Sequence, residues 1–375
     1  MNKKLMMLLV VISIFLVGCS GNDSDAEAAV LNNDNDINPE SQDEAIEVIE
    51  EEAPVTIIEE EEEEVIEKEI SLDYDKIRPN EAGRVMVIMY HSLGEKESNY
   101  VSTPDILRQN LKDLYDKDYV LVSLEDFVKN EMDIPAGKTP VVLTFDDGHI
   151  SNFKVVEKDG ELLIDPDSAV GIINTFYEEH PDFNRKASFA LNANISFSQN
   201  EYKAYKLNYL IDQGYDISSH SYGHEDLTEL DGKGIQKTLG KNVNSIESIL
   251  KDYSVNTLAL PFGKRSKEPF LEKFIYKGVY EEKPYEFIAV LNVGWNPTYA
   301  PIHNKFNYKS INRVQSGSGD FQLSYWIDYF DNAPDQKYIS DGIKEQITVP
   351  EEMREEINES TLADKALIFY ERTAQ

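Results

Sequence analysis

Three apolar runs in this 375-residue chain stop at groups that can move a proton or hold a cation. "VVLTF" is followed by Asp146, Asp147 and Gly148, "RVMVIMY" by His91, and "YDISS" by His220, with His224 four residues further on. Adjacent carboxylates raise the cost of ionising each other. Two imidazoles and a carboxylate form a ligand set for a divalent metal that leaves positions open for water and substrate. If one aspartate of the pair lies on such a cation, its charge is largely neutralised. The other can then stay an anion at neutral pH and act as a base. "HSYGH" alone is a common surface spacing, and it gains weight from the paired carboxylate at another strand end.

Groups this far apart in sequence need a scaffold that brings strand ends together. "RVMVIMYHS" reads as a buried strand. "TPDILRQNLKDLYDKDY" places Ile106, Leu107, Leu111, Leu114 and Tyr115 at helical spacing, with Thr103 as N-cap. "VLVSLEDFVKN" predicts a strand leading into a short helix, and "TPVVLTF" the next strand. "KASFALNA", "YDISSH", "NTLALPFG" and "EFIAVLNV" are further strands, separated by helical segments such as "YKLNYLIDQG" and "IQKTLGKNVNSIESILKDY". Alternation of this kind over about 290 residues predicts an α/β fold with a parallel sheet, of a size that suits a βα barrel. In such barrels the chemistry collects at the C-terminal strand ends. No repeat of fixed period and no second domain is evident.

The N-terminal part has a different texture. Lys3 and Lys4 precede an apolar run from Leu5 to Val17, shorter than the roughly 20 residues of a membrane span. It ends in Leu16-Val17-Gly18-Cys19, which resembles a bacterial lipobox, so residues 1–18 are expected to be a lipoprotein signal and Cys19 the lipidated residue. Cys19 is the only cysteine, and no intramolecular disulfide can form. Residues 22–75 hold 22 acids against one lysine and so account for most of the net charge of −34. Like charges at that density cannot bury a core, so 19–75 should be an acidic, disordered tether and 76–375 the catalytic domain. That domain is acidic as well and has no Lys/Arg cluster, which argues against nucleic acid as a partner. The expected location is the extracytoplasmic face of the cell membrane, held through Cys19.

"TFDDG" (Thr144 to Gly148) and "HSYGH" (His220 to His224) resemble the first two signature motifs of the polysaccharide deacetylase family, the NodB-homology or carbohydrate esterase family 4 domain. The likeness runs over roughly 84–315. It implies a distorted (β/α)7 TIM-like barrel with Asp146 as general base and Asp147, His220 and His224 as ligands of one divalent metal. Zinc is the first choice, with cobalt, nickel, manganese or iron as alternatives. The implied activity is hydrolytic removal of N-acetyl groups from the amino sugars of a cell-wall or extracellular polysaccharide. The metal would lower the pKa of water from 15.7 toward about 7, and the oxyanion would be held partly by a backbone N–H near Phe262.

The third motif departs from the family. Two residues before its proline, where an arginine is usual, "LALPFG" has Ala259. This form and "MYHS" resemble a branch in which the general acid comes from the early strand end, which implies His91. The other candidate, His303, sits in the polar segment "PIHNKFN". Arg313 in "INRV" is a candidate replacement for the missing arginine. Tyr90, Phe262 and Trp295 are candidate sugar-stacking walls, and "VEKDGELLIDPDS" reads as an inserted loop or hairpin beside the cleft. The contrasting reading is a non-catalytic carbohydrate-binding surface lipoprotein, distinguished by loss of the base or of a ligand.

Overall fold

The computed structural model describes residues 72–373; the apolar leader, Cys19 and nearly all of the acidic segment lie outside them. The central sheet has nine strands, seven of which run parallel round the barrel: β1 (Arg84–Tyr90), β2 (Thr139–Phe145), β3 (Ser188–Leu191), β4 (Asp216–Ser219), β5 (Thr257–Ala259), β6 (Ala289–Leu291) and β7 (Val314–Gln315). Each pairs in parallel with the next from β1 to β6. Ile311 bridges Leu291 of β6, and β7 pairs in parallel with β1, so the run of neighbours returns to its start. This is the expected α/β barrel. It is distorted at the opposite end, where Tyr119–Leu121 pairs with the start of β2 and Thr298–Tyr299 runs antiparallel to the start of β1.

Alternation along the strands sorts side chains by size. Met86, Ile88, Leu143, Phe145, Phe189 and Ile217 face outward into the layer filled by the helices, including Leu107, Leu111 and Leu114 of the helix Pro104–Asp116. Val87, Val142, Ala190, Ala259 and Ala289, mostly small, face the barrel interior. Thr103 caps that helix as expected, its Oγ1 accepting from Ile106 N at 3.2 Å. The inserted segment is an antiparallel hairpin, Val155–Lys158 with Glu161–Ile164. Its turn, Asp159-Gly160, has positive φ at both positions (56° and 83°), as a two-residue hairpin turn requires. Among the described residues no helix is long and apolar enough to cross a membrane.

The far end of the barrel is closed by residues 334–373, which the sequence did not resolve into elements. Gly83 lies so close to this segment that a Cβ there would sit 2.4 Å from the Lys337 carbonyl group. Glu81 is buried against it, accepting from Thr348 N (2.6 Å), Ser340 Oγ (3.1 Å) and the Tyr338 hydroxyl (3.2 Å). Burial, reinforced by the Asp341 carboxylate, pushes Glu81 up from 4.5 to about 8. The folded state thus holds a proton that the unfolded chain releases near 4.5. Stability from this group is complete below that value and is lost as the pH rises toward about 8. The melting temperature should fall across this window, and Glu81→Gln should flatten the slope, leaving the shares of Asp216, which burial raises to about 7, and of the shifted histidines His91, His220 and His224. An unchanged slope in the variant would contradict this account.

Candidate active site

The inward parity of three strands continues past their ends. Val87 is followed two residues apart by Met89 and His91, Val142 by Thr144 and Asp146, and Ser218 by His220, so the strand-end side chains project into the barrel mouth. Ser218 shows the inward direction, its hydroxyl lying 2.6 Å from Ser188 Oγ and 2.5 Å from Thr257 Oγ1. His91, Asp146, Asp147, His220, His224 and Phe262 all line one cavity of about 530 Å³.

Asp146 is buried and faces Arg313, which is fully buried on the inward side of the segment leading into β7. Nη1 and Nη2 donate to the two carboxylate oxygens, at 2.7 Å each. Nη1 also donates to Thr144 Oγ1 at 3.1 Å, and Nε to the Asn292 carbonyl at 2.8 Å. Burial alone would raise the pKa of Asp146. The Arg313 charge and hydrogen bonds, with His220 and His91 adding to them, hold it at about 2 instead. Arg313 thus pairs with Asp146 from the segment just before β7. Ala259 contributes its carbonyl, which accepts from His220 Nδ1 at 2.7 Å.

That bond fixes the tautomer of His220 and directs its Nε2 at Asp147, 3.3 Å from Oδ1; His224 Nε2 lies 3.4 Å from the same oxygen. Ligand atoms of Asp147, His220 and His224 all lie within 4.8 Å of one another. His220 Nε2 is buried and has no hydrogen-bond partner, so its lone pair faces the cluster unused. A two-imidazole, one-carboxylate set with one orphaned nitrogen fits a divalent cation. Burial would lower His220, but Asp146 and Asp147 carry it above the ordinary imidazole value. His224 is lowered, by burial and by His220. The Asp147 carboxylate is held well below the usual range, because His149, His220 and His91 outweigh its burial.

The turn carrying the histidines is fixed from outside. Glu225 accepts from Ser221 Oγ (2.8 Å), Gly223 N (3.0 Å) and Thr238 Oγ1, while Asn192 Nδ2 donates to the Ser221 carbonyl at 3.1 Å. Neither residue was singled out from sequence, and only their folded positions reveal them. His149 Nε2 also lies 3.3 Å from Asp147 Oδ2.

His91 lines the cavity with Nε2 3.9 Å from Asp146 Oδ2, too far for a hydrogen bond. Its proton affinity is lowered by burial, which outweighs the pull of Asp146. His303 lies at the opposite end of the barrel, pairing with Glu356 at 2.9 Å beside Tyr299. Phe262 is half exposed and packs edge-on against His224, with ring centroids 4.4 Å apart. Two expected walls are corrected. Tyr90 is only 1 % exposed, stacks on Phe145 and accepts from Asn110, because alternation turns it outward when His91 faces in. Trp295 is 60 % exposed on the loop after β6 and does not line the cavity.

Residues 133–273 match the polysaccharide deacetylase family. The family resemblance expected from Thr144–Gly148 and His220–His224 is thereby borne out over the part of the chain that carries both motifs. His91 and Arg313 lie outside the matched residues. No curated protein matches the chain. Similar solved structures include a polysaccharide deacetylase from Bacillus cereus, with 16 % identity, covering 65 % of this chain and 68 % of that one, at a TM-score of 0.47. IcaB from Ammonifex degensii has 14 % identity, coverage of 66 % and 97 %, and a TM-score of 0.46. A Streptococcus pyogenes deacetylase in complex with acetate has 16 % identity, coverage of 62 % and 92 %, and a TM-score of 0.45.

Breaking a buried ion pair costs about 3–5 kcal/mol, because the remaining charge is left without a partner. Arg313→Met should lose stability of that order in urea denaturation. Adding Asp146→Asn, which removes the stranded charge, should restore a large part of it. Additive losses in the double variant would show that the pair is not coupled as described.

Proposed function

We propose that this chain is a metal-dependent N-deacetylase acting on amino sugars of a cell-wall or extracellular polysaccharide. The carrying observation is the pairing, at one barrel mouth, of a three-ligand cation site with a separate carboxylate held ionised by Arg313. Zinc is the cation we expect, since it favours nitrogen and oxygen donors of this kind with open positions; cobalt, nickel, manganese or iron are the alternatives. When bound by Asp147, His220 and His224, it would supply Lewis-acid polarisation and water activation.

The chain's own groups would then do the proton work. Asp146, ionised throughout the neutral range, accepts the proton of the attacking water. His91, which lines the same cavity with its Nε2 3.9 Å from Asp146 Oδ2, is the candidate to give the departing nitrogen a proton from that Nε2. An amine anion does not leave unaided, so the reaction needs such a donor. Phe262 edges the mouth beside His224 as a sugar-facing wall. Residues suited to act as base, ligands and donor line one cavity, which supports turnover over a role restricted to carbohydrate binding.

Chelation should abolish acetate release from N-acetylglucosamine polymers, and added zinc should restore it. His91→Asn should lower kcat by roughly 10²- to 10⁴-fold with metal content unchanged, while His303→Asn should leave kcat near wild type. A donor must be protonated, and burial lowers His91, so kcat/KM should decline as the pH rises through a value below 6.5. That limb should vanish in His91→Asn. Its persistence would assign it to another group.

The Leu16–Cys19 stretch supports membrane attachment through a lipidated Cys19. In a bacterial host, Cys19→Ser should move the protein from the membrane fraction to the soluble fraction; an unchanged distribution would count against lipidation.

A further inference from the structure

Asp147 has two carboxylate oxygens, and its neighbours divide them. His220 and His224 both approach Oδ1, at 3.3 and 3.4 Å, whereas Oδ2 faces His149 Nε2 at 3.3 Å. His149 is not part of the compact three-residue cluster, so it does not stand as a fourth ligand. Its position is built into the local chain. Asp147 and Gly148 both have positive φ, 70° and 66°, which reverses the backbone directly after the strand and brings residue 149 back over Asp147. The loop is pinned on either side, by Phe197 N donating to the Gly148 carbonyl at 2.7 Å and Asn152 N to the His149 carbonyl at 3.0 Å.

We propose that His149 is a positioning residue that occupies Oδ2 of Asp147 and leaves Oδ1 alone to face the cation. Asp147 then acts as a one-oxygen ligand, and more of the cation's remaining positions stay open for water and the acetyl oxygen. The physical basis is that a carboxylate able to swing can offer both oxygens to a cation, whereas an N–H donor on one oxygen fixes its rotation. His149 Nε2 stands at ion-pair distance from Oδ2, 3.3 Å. Partners of this kind behind a metal ligand are worth roughly 10- to 100-fold in metal affinity. This inference rests on the metal reading above, and metal binding tests it without any substrate.

The full chain, stripped with a chelator, would be titrated with Zn²⁺ against a chromogenic competitor and separately loaded with Co²⁺ for visible spectroscopy. His149→Ala and the similarly sized, donor-free His149→Leu should bind Zn²⁺ roughly 10- to 100-fold more weakly. Their Co²⁺ bands should lose intensity, because a carboxylate free to chelate raises the coordination number. His149→Gln, whose amide can donate to Oδ2, should recover most of the affinity and the wild-type spectrum. A purely structural role would not predict that recovery. His149 is partly exposed, so these substitutions leave the core intact. Wild-type affinity and spectrum in the alanine and leucine variants would overturn the assignment of His149 alone. Failure of the wild-type protein to take up either ion would overturn the metal reading, and this assignment with it.

Discussion

The two-pronged bond between Arg313 and Asp146 is the constraint on which the barrel mouth depends. Two carboxylates on consecutive residues cannot both ionise in a buried site unless at least one faces a cation. Arg313 meets this need for Asp146, and its own burial is tolerable because its donors are spent on Asp146, Thr144 and the Asn292 carbonyl. The same bonds carry topological information. They tie the segment before β7 to the end of β2 across β1, and β1 pairs with both. The contact that sets the charge of Asp146 thus also helps to close the ring.

Most of the site was legible because a strand has a period of two and ends where its apolar run ends. His91, Asp146 and His220 each close a run on its inward parity, so their convergence follows once the strands form a parallel barrel. The same rule shows why Tyr90 failed as a wall: it precedes His91, and neighbours on a strand cannot face the same way. Trp295 failed for a different reason. It lies on a loop, where alternation gives no guidance, and it stayed at the exposed surface.

Other features depended on contacts between distant segments. Arg313 was only one candidate, since nothing local ties "INRV" to a carboxylate 167 residues earlier. The clasp of Glu81 on Thr348 spans 267 residues, and the hairpin Lys277–Tyr280 with Lys283–Glu286 lacks the apolar alternation that marks a half-buried strand. His303, at the other end of the barrel from the cavity, also shows that a histidine's place in a fold depends on which end of a strand it follows.

The adjacent aspartates end in different surroundings because the backbone changes hand between them. Asp146 continues the strand and points inward to a permanent cation, Arg313. Asp147, at a φ of 70°, swings toward three imidazoles instead. His224 and Phe262 on neighbouring loops also sit at positive φ, 61° and 58°. Such conformations cost on the order of 1–3 kcal/mol each and persist where the surroundings over-determine them. Here Glu225 and Asn192 hold the turn that carries His224, Phe197 N holds the Gly148 carbonyl beside Asp147, and Gly263 N closes on the Leu260 carbonyl around Phe262. The scaffold therefore bears this strain in the fold itself, with His220 Nε2 buried and facing Asp147. The fold thus gives two ionised aspartates different partners, the Arg313 guanidinium for Asp146 and the imidazoles of His149, His220 and His224 for Asp147.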